Sequence, residues 1–380
     1  MGVLRRVAIV VGYVVLVAAI ATVIVLAHLG AQQHRCTQEV TNFSILIDGT
    51  EGHNLIDEAA MHRWFKAHGV HPDGLTLDEV NLAELESVAM EHSAVSRANA
   101  YMTHAGYVEM NIVQREPIMR FKVDGYDHYV ARDGHIFKAM GGYAAYVPVV
   151  TGNYKPLFTR DFAGSFDEFI EDSIASMHRE IGHCEQLKYP IYRDKNKANS
   201  RLKSVRDSVI YKSWFMSEEK HAALVANLEL FKEAFAKRKT EEIGKYDKQL
   251  ASLEKRQERL YDNITAVNKR KGDFDNLEKF VSYILRDSFW GAEITQVIIS
   301  ESRAGDMLIK LVPRSGGFVI DFGEVERIED KFNALSRFYS SVLRSVGWDA
   351  YREISVRYDG QVVCREAIKR DGDNSNNNKS

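Results

Sequence analysis
Apolar and polar positions change period several times along this chain, and each change marks an element. Residues 7–29 carry no charge and are interrupted only by Gly, Thr and His28, with Arg5 and Arg6 just ahead. As a helix, this run of 23 residues is long enough to cross a hydrocarbon core of about 30 Å. The two arginines keep segment 1–6 in the cytoplasm, which puts everything after residue 30 on the other side of the membrane. A cleaved leader is the weaker reading. Its apolar core would span only about 7–15 residues, and Leu29-Gly30-Ala31 is a poor cleavage site. Nor does Gln33-His34-Arg35 make a small apolar site for lipid attachment at Cys36.

Beyond a linker at 30–42 the pattern becomes that of a small mixed domain. Residues 44–48 read as a strand, 54–68 and 82–91 as helices, and 95–102 and 107–115 as two further strands. In the last of these Val108, Met110 and Ile112 alternate with Glu109 and Asn111, the period of a half-buried strand. Pro117 has no N–H to give a ladder, so this pairing stops after Arg115 and Glu116. A hairpin follows over 126–137, turning at Asp133-Gly134, and then a strand at 147–152.

The β pattern then gives way to helix. Residues 162–181 form one helical segment and 217–271 a longer one. Ile243, Tyr246, Leu250, Leu253, Gln257, Leu260, Ile264 and Val267 recur at spacings of three and four, enough heptads to argue a coiled coil. Upstream, Leu224, Leu228, Phe231 and Phe235 keep the spacing one residue out of phase. An antiparallel hairpin turning near residues 239–244 explains the slip, and so does a skip within one long helix. The seam packs either on the chain's own helices or on another chain, so an oligomer through the coiled coil stays open.

Short strands resume towards the end. A helix at 280–286 and the segment 289–293 lead into strands at 294–300, 307–313 and 317–322. A helix at 325–346 follows, with acidic residues in its first turn, and then a last strand pair at 351–358 and 361–365 around Asp359-Gly360. Residues 371–380 have no apolar side chain and are expected to be disordered. The fold class is α+β.

Composition narrows the function. The chain is 45% apolar and 27% charged, which leaves ample core, and its net charge of −3 gives no nucleic-acid footprint. Cys36, Cys184 and Cys364 are odd in number and far apart, so no disulfide framework follows, with a bridge between Cys184 and Cys364 left open. His53, His62, His68 and His71 fall close together, but only His68 and His71 have ligand-like spacing and no cysteine or carboxylate completes a site. They read as ordinary surface histidines. Nucleophile-elbow, zinc-protease and phosphate-loop motifs are missing from the sequence. The reading is non-catalytic, with no cofactor and no metal. There remains the terminal strand, whose outer row of backbone groups is an open edge unless a partner supplies a strand.

Several of these segments resemble the FtsQ/DivIB cell-division family. The residues that carry the resemblance are Arg115-Glu116-Pro117, the hairpin 126–137 with its Asp133-Gly134 turn, the strand 147–152, Phe289-Trp290-x-Ala292-x-Ile294-x-Gln296, Leu311-x-Pro313-Arg314, Gly347-Trp348 and Gln361-Val362-Val363-Cys364. The β-α-α-β-β order just after the anchor looks like a POTRA domain. The resemblance implies a membrane helix at 7–29, a POTRA-like domain at 43–116 and a β domain in two parts, 117–158 and 273–366. A helical insertion at 159–272 divides those parts, and a tail runs over 367–380. It implies a non-enzymatic scaffold in the inner membrane at the division septum, which links early division components to septal peptidoglycan synthesis. FtsB- and FtsL-like proteins are the implied partners, bound by strand addition at Tyr351, Arg352, Tyr358, Gln361, Val362, Val363, Cys364 and Arg365. Arg115, Glu116 and Pro117 are implied as the domain junction. The rival from another class is a periplasmic adaptor of an efflux or secretion system, which also joins a membrane anchor, a coiled-coil hairpin and β domains. A third is a chaperone of outer-membrane proteins, which would need several POTRA units where one is legible.

Overall fold
In a computed structural model, residues 2–48, 55–103, 105–139 and 145–367 are described, the side chains of 2–11 and 31–37 excepted. The expectations for His53, Cys36 and the tail beyond 367 lie outside these. Helix α1 (Gly2–Thr37) contains an apolar span, Gly12–Gly30, that is exposed on every side and long enough to cross a membrane.

The first domain has the expected order β1 (Asn42–Asp48), α2 (Glu58–Ala67), α3 (Leu82–Glu91), β2 (Val95–Met102) and β3 (Tyr107–Gln114). Strand β3 lies in the middle, parallel to β1 and antiparallel to β2. Asp57 and Asn81 begin the two helices by accepting the N–H groups of Ala60 and Glu84, which otherwise have no partner in the first turn. Met61 and Phe65 of α2 and Leu85 and Ala89 of α3 are buried on Val108, Met110 and Ile112 of β3. Gln114 closes the end of this layer. Its Oε1 accepts the N–H groups of Leu55 at 2.8 Å and Ile56 at 3.2 Å, two buried donors that have left regular structure.

The first ladder ends at Gln114, and Pro117 opens the next strand, a position where its missing N–H costs nothing. Strands β4 (Pro117–Val123), β5 (Tyr126–Ala131) and β6 (His135–Lys138) form a meander. Asp124 and Gly125 turn the first hairpin with φ of 45° and 81°, the left-handed pair of a two-residue turn. After β7 (Val149–Gly152) and β8 (Gly164–Ser165), the chain leaves for the two long helices α4 (Phe166–Arg206) and α5 (Glu218–Arg286). It returns through α6 (Ser288–Glu293) to β9 (Ile294–Glu301), β10 (Met307–Pro313) and β11 (Val319–Gly323). Helix α7 (Ile328–Phe338) continues through a π-turn (Tyr339–Leu343) into α8 (Arg344–Val346), and β12 (Tyr351–Ser355) and β13 (Val363–Glu366) end the described fold.

One ten-stranded sheet results, in the order β13-β12-β11-β10-β9-β7-β4-β5-β6-β8. The parallel pairing of β7 with β9 joins the strands before the long helices to the strands after them. Gly152 makes that join possible. Its φ is 119°, and a Cβ there would lie 2.0 Å from the carbonyl oxygen of Ile299. Phe121, Val150, Val297, Ile309, Ile320 and Phe322 are buried along the sheet, and Leu277, Phe280 and Ile284 at the end of α5 are buried with Phe332 and Leu335 of α7. Phe280 meets Phe322 at 4.8 Å and Trp290 meets Tyr339 at 5.2 Å.

Residues 166–276 form a compact unit of their own. Helices α4 and α5 run antiparallel within it. Asp167 pairs with Lys271 at 2.7 Å, Glu180 with Arg256 at 2.5 Å and Asp247 with Lys195 at 2.6 Å. Ile181, Leu260 and Ile264 close the seam, and Gln257 reaches across it to the Ile181 carbonyl at 3.2 Å and to Glu185 at 2.7 Å. The chain therefore does turn as a hairpin, but at 207–217. Helix α5 passes unbroken through 239–244, so the phase slip is a skip in one long helix. Helix α4 also runs well past 181, through Pro190. Cys184 is buried in α4, and both it and Cys364 are free thiols.

Candidate docking edge and domain junction
The junction residues are held by charge. Arg115 pairs with Asp133 and donates from Nε to the Ser93 carbonyl at 3.2 Å. Glu116 receives Arg132 in a fork, at 2.7 and 2.8 Å. Both arms thus clamp the turn of the β5–β6 hairpin, and Tyr129, Ala131 and Phe137 of that hairpin belong to the same buried cluster as the first domain's helices. A second fork, Arg120 to Asp127 at 2.7 and 2.8 Å, ties β4 to β5 and holds the Asp127 carboxyl below its usual range.

At the other end of the chain β13 is the outermost strand of the sheet, and no described strand lies beyond it. Which of its groups face outward is set by the ladder. Val356 N–H donates to the Asp321 carbonyl at 3.0 Å, so the backbone of Val356, and by alternation that of Ile354, points towards β11. Glu353 and Ser355 then point towards β13, where their partners are Arg365 and Val363. Val363 and Arg365 spend their N–H and C=O groups on β12. Cys364 and Glu366 turn theirs to the open side. Ala367 N–H returns to the Ala350 carbonyl at 3.1 Å, as the same alternation requires.

Side chains divide the predicted site residues into two groups. Tyr351 is half-buried with its ring 5.8 Å from Phe338, and Cys364 is half-buried opposite Ile354, its thiol pushed up by burial. Arg365 is exposed but paired with Glu353 at 2.9 Å. Glu353 also receives Lys310 at 2.9 Å, and that lysine, first of all, holds its carboxyl low. Arg352, Tyr358, Gln361 and Val363 are exposed, Tyr358 by 58% and Val363 by 44%, and Val362 is half-buried.

The final pair is shorter than the expected strands at 351–358 and 361–365. Residues 356–362 form a connecting loop, in which Tyr358, Gln361 and Val362 line a groove of about 470 Å³ against Asn333, Arg337 and Val342. Arg327, at φ 48° before α7, pairs with Asp359 across its mouth. Sequence reading missed this partnership, because residues 32 positions apart carry no local signal. Two buried polar groups keep the helix side in place. Lys331 donates to the carbonyls of Phe322 at 3.0 Å and Glu324 at 2.8 Å, and burial lowers its pKa. Glu293 accepts the Tyr339 hydroxyl at 3.2 Å, and burial followed by that carboxylate pushes the Tyr339 pKa up.

Of the histidines expected at the surface, His68 is exposed, whereas His62 and His71 are half-buried. Among the described residues no group of three or more His, Cys, Asp or Glu could hold a metal ion. His71 bonds to His62 at 2.9 Å rather than facing His68, and both rings stand edge-on to Phe43.

Among the described residues one helix is apolar and long enough to cross a membrane, and a small three-stranded domain and a ten-stranded sheet that ends at β13 follow it. Residues 38–113 match the POTRA-like domain family, and residues 254–365 match the family described as FtsQ/DivIB, C-terminal related. No curated protein matches the chain. The chain thus carries a POTRA-like domain and an FtsQ/DivIB-type C-terminal region, which support a division-related role, and its N-terminal apolar helix is consistent with a single-pass membrane protein. That family is a non-enzymatic one. The second match begins within α5 and ends at Arg365 in β13, so it covers the open edge.

Proposed function
We propose that this protein is a divisome scaffold of the inner membrane that captures FtsB- and FtsL-like partners by strand addition along β13, at the division septum. Its N-terminus lies in the cytoplasm, its bulk in the periplasm, and it links early division components to septal peptidoglycan synthesis without catalysing a reaction. The observation that carries this reading is the outward backbone of Cys364 and Glu366, a row of donors and acceptors on a strand that ends its sheet. A partner strand would find main-chain bonds there and side-chain selectivity from Tyr358, Gln361, Val362 and Val363 around the groove, with Arg352 at its flank and Tyr351 packed beneath. The clamp at Arg115 to Pro117 keeps the first domain in register with the sheet that presents the edge. Capture of an FtsB-like partner by the full chain, compared between edge variants, tests the mechanism. A fluorescent fusion tests the role: a midcell band in dividing cells supports it, and an even envelope signal favours an adaptor.

The hairpin of α4 and α5 is the feature an efflux adaptor would share. Its flanks speak against that reading, because α4 follows the two-residue strand β8 and α5 runs on towards α6, with no matched pair of lipoyl-like strands around them.

A further inference from the structure
The hairpin turn at 207–217 carries the most exposed aromatic side chains described in the chain. Tyr211 is 84% exposed, Trp214 88% and Phe215 89%, with Val209 at 63%. Large rings ordinarily bury most of their surface in a core or an interface. Here Trp214 meets Phe215 edge to face at 5.4 Å, and neither ring is covered by the helices. Local bonds hold the turn in shape. His221 contacts the Ile210 carbonyl at 3.2 Å, Met216 N–H donates to Ser213 O at 2.9 Å, and Lys212 pairs with Glu218.

Charge around the rings selects among occupants. Residues 188–220 hold nine Lys and Arg against four Asp and Glu, a local charge of +5 in a chain whose net charge is −3. Arg193, Lys197 and Arg201 recur every fourth residue, which sets them on one face of α4. Tryptophan and tyrosine settle at the boundary between headgroups and acyl chains, while lysine and arginine draw a segment to anionic lipid.

We propose that this tip docks on the surface of an anionic phospholipid bilayer, with Tyr211, Trp214 and Phe215 entering the headgroup layer and Arg193, Lys197, Arg201 and Lys212 facing the phosphates. The contact is independent of partner capture at β13.

The test uses the full chain held by α1 in phosphatidylcholine nanodiscs and mixed with vesicles of brominated phosphatidylglycerol. Bromine quenches tryptophan only at contact, so subtracting the Trp214→Phe signal isolates Trp214 from the other tryptophans. Quenching of Trp214 by the anionic vesicles, and not by brominated phosphatidylcholine vesicles, is expected. Co-flotation with the anionic vesicles should fall about tenfold or more when Tyr211, Trp214 and Phe215 all become Ser. It should also fall when Arg193, Lys197 and Arg201 all become Gln. The serine variant should keep the parent's circular dichroism and melting temperature, since its lost rings leave no cavity, so a loss of flotation cannot be put down to unfolding. Quenching that ignores lipid charge, unchanged flotation of the serine variant, or a tip-dependent oligomer that forms without vesicles would each overturn the proposal.

Discussion
Proline placed at two neighbouring positions of β13 should give opposite results. Cys364 turns its N–H to the open edge and Val363 turns its N–H to Ser355, as the register and the bond from Val356 to Asp321 require. Cys364→Pro therefore removes no bond from the isolated protein, and proline is tolerated on an edge strand whose N–H faces solvent. Val363→Pro removes a ladder bond and strands the Ser355 carbonyl, at about 1–3 kcal/mol. The strand has only four residues, so that loss should release it. On the open side a partner strand can use the N–H and C=O groups of two residues, Cys364 and Glu366, each bond contributing about 0.5–1.5 kcal/mol net. Losing one bond and placing a ring against the incoming backbone should weaken capture by about 1–3 kcal/mol, or roughly 5- to 150-fold. Calorimetric titration with an FtsB-like partner measures that difference, and circular dichroism with thermal melts reports the fold. Cys364→Ser, which keeps the N–H, controls for the thiol and should bind close to the parent. If Cys364→Pro stays folded and binds as tightly as Cys364→Ser, strand addition at this edge is refuted.

Gly152→Val should be the most damaging single change in the sheet. Its Cβ would fall 2.0 Å from Ile299 O at a φ of 119°, so β7 and β9 must part and the melting midpoint should drop sharply, by about 4 kcal/mol or more in stability. The reasoning fails if the variant melts with the parent. Leu260→Lys puts a charge into the seam beside Ile181 and Ile264 and should cost the hairpin about 2–5 kcal/mol. Hydrogen exchange should then rise across 166–276 and stay unchanged in the first domain; exchange rising everywhere would show that the hairpin does not unfold by itself. Acid should destabilise the fold near neutrality. His71, His92, His128 and His135 are all held below the ordinary histidine value, first of all by burial. The unfolded chain therefore binds more protons, so this part of the stability is complete above about pH 6.5 and is lost as the pH falls through the depressed values. Thermal midpoints compared at about pH 7.5 and about pH 5 measure it, and equal midpoints would contradict it.

Local pattern fixed the features that depend on neighbours in the chain. The strands β2 and β10 and the helix α3 have the bounds their periodicity predicts, because each buries a single face whose repeat is written in consecutive residues, and the apolar run at 7–29 falls within the longer helix α1. The α5 seam, from Ile243 to Val267, is half-buried or buried at every predicted position. The motifs around Arg115, Trp290 and Cys364 likewise pointed to the family before any geometry was known.

Tertiary structure decided the rest. The phase slip in α5 looks the same in sequence whether the helix turns or skips, and only the pairing with α4 set the turn at 207–217. Helix α4 escaped notice beyond residue 181 because Pro190 and a run of basic residues hide the few buried positions, Cys184 and Ala198 among them, that face α5. The aromatic cluster at 211–215 was visible as letters, but its exposure was not, since exposure depends on which surfaces the fold leaves uncovered. At the edge, sequence located the terminal strand and could not say which residue faces out. That parity is set by the bonds of β12 to β11, and a slip of one residue there would exchange the roles of Val363 and Cys364.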